Sequence, residues 1–167
     1  GTNDGPVAVD DSDSTDEDNS ISVDVVANDT DADLSDTLTV TSASINSGLG
    51  NVSIAGNQVV YDPAGAYDYL AVGETLTLTY TLTATDSKGD TDTHDVTVTI
   101  NGTEDAPQIT GTSTGEVTED GTQTATGTLT ASDADTADNP ASYAVFGANP
   151  TDYGTFAIDG TSGEWTF

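Results

Sequence analysis

Several residue types are absent or almost absent from this chain of 167 residues. It contains no cysteine, methionine or arginine, and Lys88 and His94 are its single lysine and single histidine. The lack of cysteine excludes disulfides, a thiolate zinc site and a cysteine nucleophile. The 30 acidic residues give a formal net charge of −29. This balance excludes a nucleic-acid or anionic-membrane binder, because nothing could neutralise phosphates. No apolar run approaches the ~20 residues of a membrane-spanning helix.

What the chain does contain is a strong alternation of apolar residues with threonine. The stretch 75–86 reads TLTLTYTLTATD, and 92–100 repeats the same period of two. This alternation is typical of half-buried strands. We predict seven strands in the first hundred residues, at 7–10, 20–26, 37–45, 51–55, 58–61, 75–85 and 92–100. Seven short strands in this length favour an all-β, antiparallel Ig-like sandwich.

The acidic residues cluster in the gaps between these predicted strands. Twelve lie in residues 1–36, three in 37–85, six in 86–105 and nine in 106–167. If successive strands alternate in direction, the N-terminal segment and the loops 28–36 and 86–90 meet at one end of the domain. Glu17, the loop 62–74 and the linker 101–105 then meet at the other end. The acids are therefore expected at both ends of the domain, where neighbouring domains would join.

An internal repeat accounts for this distribution. The segment Gly1–Pro6 returns as Gly102–Pro107, and Asp31-Ala32-Asp33 returns 102 positions later as Asp133-Ala134-Asp135. A period near 100 indicates tandem domains rather than a solenoid. We predict an N-terminal linker at 1–6, a first β-sandwich at 7–101, a linker at 102–107 and a second, incomplete sandwich at 108–167. The second copy lacks a counterpart of residues 62–101.

Carboxylates that are packed together repel one another unless a cation is present. Ca²⁺ takes six to eight oxygen ligands, and an Asp-x-Asp pair on a loop supplies two short carboxylates. A solvated turn is the alternative, but the repeat of the pair beside acidic linkers favours calcium. The EF-hand pattern fails, because Leu34 and Val40 stand where that loop needs Gly and Glu. The Gly-Gly-x-Gly-x-Asp nonapeptide is absent as well.

The sequence resembles the cadherin-like and VCBS-type tandem repeats of large bacterial calcium-dependent, RTX-type adhesins. The resemblance rests on the linkers 1–6 and 102–107, on both Asp-x-Asp pairs, and on the segments 115–120, 127–135 and 163–165. In the first copy, residues 61–63, 68–70 and 73–74 resemble a sister type of repeat. The resemblance implies a calcium-binding extracellular sandwich that acts as a spacer in a bacterial surface adhesin, next to other repeats of its chain.

The resemblance also implies a ligand set. A base glutamate and linker acids of one domain would act with the Asp-x-Asp pair and last-loop aspartate of the next. The implied calcium ligands are Asn3, Asp4, Glu17, Asp31, Asp33, Asp86, Glu104, Asp105, Asp133 and Asp135. Two positions depart from the family pattern, because Asn101 stands where a linker aspartate is usual and Glu104 replaces the usual Asn.

The alternatives to a spacer are an enzyme, a ligand-binding module, a split domain and halophilic solvation. Paired carboxylates could hydrolyse glycosides, but one Trp and nine scattered aromatics form no evident cleft. His94 alternates in phase with Val96 and Val98, so we expect it at the core edge of a strand rather than in a catalytic triad. A carbohydrate- or receptor-binding module remains open, with Trp165 or the tripeptide at 88–90 as contacts, although we expect Trp165 in the core. A split domain that carries an inserted binding module also remains open. Halophilic solvation predicts evenly spread acids, which the threonine-rich strands contradict.

Overall fold

The structure is a computed structural model that describes residues 1–139, 142–146 and 154–167. It divides into two compact units, Gly1–Glu104 and Asp105–Phe167. The predicted second sandwich at 108–167 includes residues 140–141 and 147–153, which lie outside the described residues. The predicted all-β class is confirmed, since a 3-10 turn at Thr136–Asp138 is the one helical element among the described residues. None of the described residues forms a helix with the length and apolar character needed to cross a bilayer.

Seven strands build the first unit as two sheets. They are β1 (Asp11–Asp16), β2 (Ile21–Asp24), β3 (Thr39–Ile45), β4 (Asn51–Ala55), β5 (Gln58–Asp62), β6 (Thr75–Thr85) and β7 (Thr91–Asn101). One sheet has the order β1-β7-β6-β3 and the other the order β2-β5-β4. Every pair is antiparallel except β1 with β7, which is parallel. A parallel pair of first and last strands is what seven alternating strands require.

The core of the first unit lies between these sheets and follows from the alternation in the sequence. Every second side chain is buried from Leu78 to Ala84 in β6 and from His94 to Ile100 in β7, and the residues between them, mostly threonines, lie on the outer face. Leu82 and Ile100 are fully buried, and the rings of Tyr80 and Tyr61 approach to 5.3 Å across the sheets. The buried side chains form a single cluster, to which β2, β5 and the loop 67–70 also contribute.

One strand prediction is wrong. The sequence pattern placed the first strand at 7–10, but there Val7 makes only an isolated bridge with Thr30, and β1 begins at Asp11. The segment of β1 reads DSDSTD, which has neither β-branched alternation nor apolar residues to indicate a strand. It becomes a strand because its backbone pairs with the exposed edge of β7, and edge pairing needs no particular side chains. The bounds of the other six strands differ from the predicted ones by at most one residue, apart from the C-terminal end of β2 and the N-terminal end of β3, which each differ by two.

The described residues of the second unit form one four-stranded sheet. Its strands are β8 (Gln108–Gly111), β9 (Thr126–Ser132), β10 (Ala157–Ile158) and β11 (Glu164–Thr166), in the order β10-β11-β9-β8. The order β9-β11-β10 matches β2-β5-β4 of the first unit. The side chain of Trp165 is buried as expected, stacks on Phe156 at 5.8 Å and donates from Nε1 to the carbonyl of Thr112 at 2.6 Å. Gly127 leaves room for the indole, because a Cβ there would come within 2.6 Å of it.

Candidate metal-binding loops

The first Asp-x-Asp pair lies in the loop that follows β2, and its backbone geometry is set by its own side chains. Asp31 Oδ1 accepts a hydrogen bond from the Asp33 N–H at 2.8 Å. The chain then turns, because the Asp36 N–H donates to the Asp33 carbonyl at 2.9 Å. Aspartate favours such turns because its short carboxylate can accept from the backbone two residues on. As a result three aspartates, at positions 31, 33 and 36, lie within one short loop.

The predicted N-terminal ligands meet this loop and the β6–β7 turn. The Asp4 N–H donates to Asp33 Oδ2 at 2.8 Å. Asn3 Nδ2 donates to Asp86 Oδ2 and to Asp90 Oδ2, both at 2.8 Å. The expected meeting of Asn3 and Asp4 with the Asp-x-Asp pair and Asp86 is therefore present in the first unit. We call Asp31, Asp33, Asp36 and Asp86 the first acidic cluster.

Asp86 is held in place by the tight turn that joins β6 to β7. Its Oδ1 accepts three backbone N–H groups, from Lys88 at 2.9 Å, Gly89 at 2.6 Å and Asp90 at 2.9 Å. The side-chain hydrogen bond from Asn3 and these backbone donors hold the pKa of Asp86 below its ordinary value. Asp86 is therefore a buried carboxylate that the backbone of the turn holds in place.

Asp36 was not predicted as a site residue, yet its side chain is enclosed by its neighbours. Its side chain is 1% exposed. Oδ1 accepts from Ser87 Oγ and from Lys88 Nζ, each at 2.7 Å. Both bonds lower the pKa of Asp36, with Lys88 the larger cause, and the same carboxylate raises the pKa of Lys88. The one lysine of the chain thus lies against the first acidic cluster.

Three carboxylates of the cluster converge on one point. Asp31, Asp36 and Asp86 each offer an oxygen atom, and these atoms all lie within 4.8 Å of one another. Asp31 Oδ2 and Asp36 Oδ2 are buried and accept no hydrogen bond from any described residue. A buried carboxylate oxygen without a donor is costly, and a cation is what would satisfy it. The donor set is all oxygen and anionic, as a hard divalent cation such as Ca²⁺ prefers.

The other predicted end of the first unit is organised around Glu17. The side chain is 1% exposed, and Oε1 accepts from the backbone N–H of Thr103 at 2.7 Å and from its Oγ1 at 3.1 Å. The Glu17 N–H also donates to the carbonyl of Asn101 at 3.1 Å. Glu104 is the last residue of this unit. Glu17 therefore fastens the beginning of the linker to the end of β1.

The second unit repeats the contacts of the first loop. The Asp105 N–H donates to Asp135 Oδ2 at 2.9 Å, and the Asp135 N–H donates to Asp133 Oδ1 at 3.2 Å. The Asp138 N–H donates to the Asp135 carbonyl at 3.1 Å. These three bonds correspond to Asp4–Asp33, Asp33–Asp31 and Asp36–Asp33 in the first unit. The repeat in the sequence is therefore also a repeat of loop conformation.

The equivalence shows how the missed residue could have been found. Asp36 and Asp138 are 102 positions apart, the same spacing as the two Asp-x-Asp pairs. The full repeated pattern is Asp-x-Asp-x-x-Asp, of which only the first two acids were recognised as candidate ligands. Asn139 was missed as well. Its Nδ2 donates to the carbonyls of Asp133 at 2.8 Å and Asp135 at 3.1 Å, so it braces the second loop.

The sequence analysis also singled out His94 and the tripeptide at 88–90, and the structure shows where each of them lies. His94 is buried on the inner face of β7, as expected, and its Nε2 lies 3.6 Å from Asp11 Oδ2. Burial is the main cause that raises the pKa of Asp11. The tripeptide at 88–90 forms the turn whose backbone N–H groups surround the Asp86 carboxylate.

The fold and the acidic loops together define the structural class of this protein. Two sheets that pair their first and last strands in parallel, with acidic loops at the N-terminal end, form a cadherin-like β-sandwich. Residues 3–102 match the family of the bacterial cadherin-like domain, and the chain belongs to that family. The structure is also similar to that of protocadherin gamma B2 extracellular cadherin domains 3–6, with a TM-score of 0.43 and 19% identity. That match covers 99% of this chain and 43% of the protocadherin chain. No curated protein sequence matches the chain.

Domains of the cadherin-like class are typically extracellular adhesion or repeat modules rather than enzymes, and in general they bind calcium and contact neighbouring domains. The acidic groups of the first unit could hold a metal ion.

Proposed function

We propose that this chain is a non-enzymatic, calcium-binding spacer module of a bacterial cell-surface adhesin. In this proposal the repeats belong to a large secreted protein of the VCBS and RTX type, outside the cell. Ca²⁺ bound at the acidic loops and linkers restrains neighbouring repeats, so that a ligand-binding domain elsewhere in the parent protein is held away from the cell.

The observation that carries the proposal is the convergence of Asp31, Asp36 and Asp86. Two of these carboxylates, Asp31 and Asp36, carry a buried oxygen atom without a hydrogen-bond donor among the described residues. The third is held by backbone N–H groups of a tight turn. Burying three carboxylates together is unfavourable unless a cation compensates their repulsion.

The remaining predicted ligands are included in the proposal on the strength of the repeated loop. Asp133 and Asp135 adopt the conformation of Asp31 and Asp33, so they are proposed to bind calcium in the same manner. Asn3, Asp4 and Asp33 are proposed as further ligands of the first loop, and Glu17, Glu104 and Asp105 as the linker ligands. The proposed boundaries of the repeats are those derived from the sequence, 7–101 and 108–167.

Calorimetric titration of the metal-free chain with CaCl₂ tests the proposal. Binding with a Kd of about 10⁻⁴–10⁻³ M is expected, the range of extracellular modules. Asp31→Asn should abolish one binding event, because it removes a converging carboxylate while preserving side-chain size. The matched control is Asp13→Asn, an exposed residue in the middle of β1 that makes the same charge change outside the cluster. A chain that binds no calcium, or equal losses in both variants, would refute the proposal.

A further inference from the structure

The only lysine of the chain lies against the first acidic cluster. Lys88 Nζ donates to Asp36 Oδ1 at 2.7 Å and to Ser87 Oγ at 3.0 Å. Asp36 is one of the three carboxylates that converge at the first acidic cluster. In a chain with a formal net charge of −29, the single fixed cation therefore sits at a candidate metal site.

We propose that Lys88 is a resident counter-ion of the first acidic cluster, which a divalent cation must displace or repel in order to bind. Lys88 would then set the calcium affinity of this loop. The inference rests on the proposed function, since it concerns the regulation of the same site.

The two partners of the ion pair differ in solvent exposure, and this difference would allow a metal ion to replace the ammonium group. The side chain of Asp36 is 1% exposed, whereas that of Lys88 is 58% exposed. Asp36 Oδ1 keeps a second donor, Ser87 Oγ at 2.7 Å, when the ammonium leaves. The carboxylate is therefore fixed, and the lysine, on a long flexible stem that reaches into solvent, is free to move.

The second oxygen of Asp36 shows that the ammonium does not complete the site. Oδ2 is buried and accepts no hydrogen bond within the described part of the chain, and the same is true of Asp31 Oδ2. Lysine has three donors on one small head group, and here two of them are used on Asp36 Oδ1 and Ser87 Oγ. Lys88 thus neutralises one carboxylate and leaves two buried oxygens for another cation.

This arrangement gives Lys88 opposite effects on the two states of the protein. Without metal, the ammonium relieves repulsion among the carboxylates, so its removal should destabilise the chain. With metal, the ammonium repels a divalent ion nearby. By Coulomb's law in a water-like dielectric, with the displaced ammonium roughly 6–12 Å from the ion, its removal should tighten binding by roughly three- to tenfold. A residue with a purely structural role would lower stability and leave calcium affinity unchanged or weaker.

The second loop provides an internal comparison. Asp138 is the counterpart of Asp36, but the chain has no second lysine to pair with it. The change in affinity should therefore be confined to the binding event that Asp31→Asn removes.

The test combines substitutions of Lys88 with an NMR signal that is measured on the unaltered protein. Calorimetric calcium titrations compare the wild-type chain with Lys88→Gln, which removes the charge, and Lys88→Arg, which keeps it. Because the chain has one lysine, the ¹H–¹³C signal of its ε-methylene reports this contact without ambiguity in the unaltered protein. We expect Lys88→Gln to melt at a lower temperature in EDTA and to bind calcium several-fold more tightly, with Lys88→Arg near wild type. The lysine signal should move during the calcium titration, in step with the binding event that Asp31→Asn removes.

Other outcomes overturn either the inference alone or the inference together with the proposed function. If calcium binds at the Asp31-dependent site while Lys88→Gln binds equally or more weakly, the inference is overturned and the proposed function stands. A lysine signal that stays in place as this site fills also overturns the inference, even if Lys88→Gln does not fold. If the wild-type chain has no Asp31-dependent calcium binding, both the inference and the proposed function fail.

Discussion

Calcium should raise the thermal stability of the first unit by an amount that can be calculated. The perturbation is the replacement of EDTA by about 10 mM CaCl₂, which is some 10- to 100-fold above a Kd of about 10⁻³–10⁻⁴ M. One ion bound only to the folded state then stabilises by about 1.4–2.7 kcal/mol. For a unit of the size of Gly1–Glu104, with about 2.1 cal/mol/K of unfolding entropy per residue, this corresponds to roughly 6–12 °C per ion.

The aromatic residues allow the two units to be followed separately in the intact chain. Tyr61 and Tyr80 are buried in the core of the first unit, whereas the only tryptophan, Trp165, is buried in the second. Near-ultraviolet circular dichroism and tryptophan fluorescence should therefore report the two melting transitions, with calorimetry as the common reference. Asp31→Asn should lose the calcium-dependent shift of the tyrosine signal and keep that of the tryptophan signal. A tyrosine transition that is insensitive to calcium in the wild-type chain would refute the reasoning.

Two further predictions concern the linker and the response to acid. Gly102→Ala should destabilise the first unit by about 1–3 kcal/mol in chemical denaturation, because its Cβ would lie 2.3 Å from the Ala71 carbonyl oxygen and 2.4 Å from that of Leu70. Gly1→Ala, the equivalent linker position with nothing within 4 Å, should be neutral, and equal effects would contradict this explanation. Asp92 accepts from the Ala8 N–H at 3.1 Å and the Thr93 N–H at 2.9 Å, and these bonds lower its pKa in the folded state. Its contribution is present above the unfolded pKa of about 3.9 and is lost as pH falls through the lower folded value, so the stability difference between wild type and Asp92→Asn should shrink below about pH 4 and stay constant above it. A difference that does not change with pH in denaturation curves would count against this assignment.

The strands that could be read from the sequence are those that bury one face. β6 has its predicted bounds, and β7 differs by one residue at each end, because alternate Leu, Val, Ile and Tyr residues must face the core. β1 could not be read, because its polar segment is a strand only through backbone pairing with the edge of β7. Its pairing partner lies some 85 residues away along the chain, and nothing in the local composition indicates it.

In the candidate site, too, some residues could be predicted from the sequence and others only from the structure. Asp31, Asp33, Asp133 and Asp135 were recognisable because a loop motif repeated at a constant spacing is a local property of the sequence. Asp36 also repeats, as Asp138, so the sequence held a signal for it, and its burial and its distance from Asp31 and Asp86 show that it belongs with them. The contact of Asn3 with Asp86 joins residues 83 positions apart, and it followed only from the assumption that strand direction alternates.

By itself, the sequence determined the all-β class, the repeat of about one hundred residues, the lack of thiol chemistry and the two repeated acidic loops at 31–36 and 133–138. These are consequences of composition and of periods of two and about one hundred, which require no knowledge of long-range contacts. The tertiary structure decided which acids share one point, which of their oxygens are buried without a donor in the described part of the chain, and that the only lysine pairs with one of them. Those properties depend on distance and solvent exposure, which the chain acquires only when β2, β6 and β7 bring their loops to the same end of the sandwich.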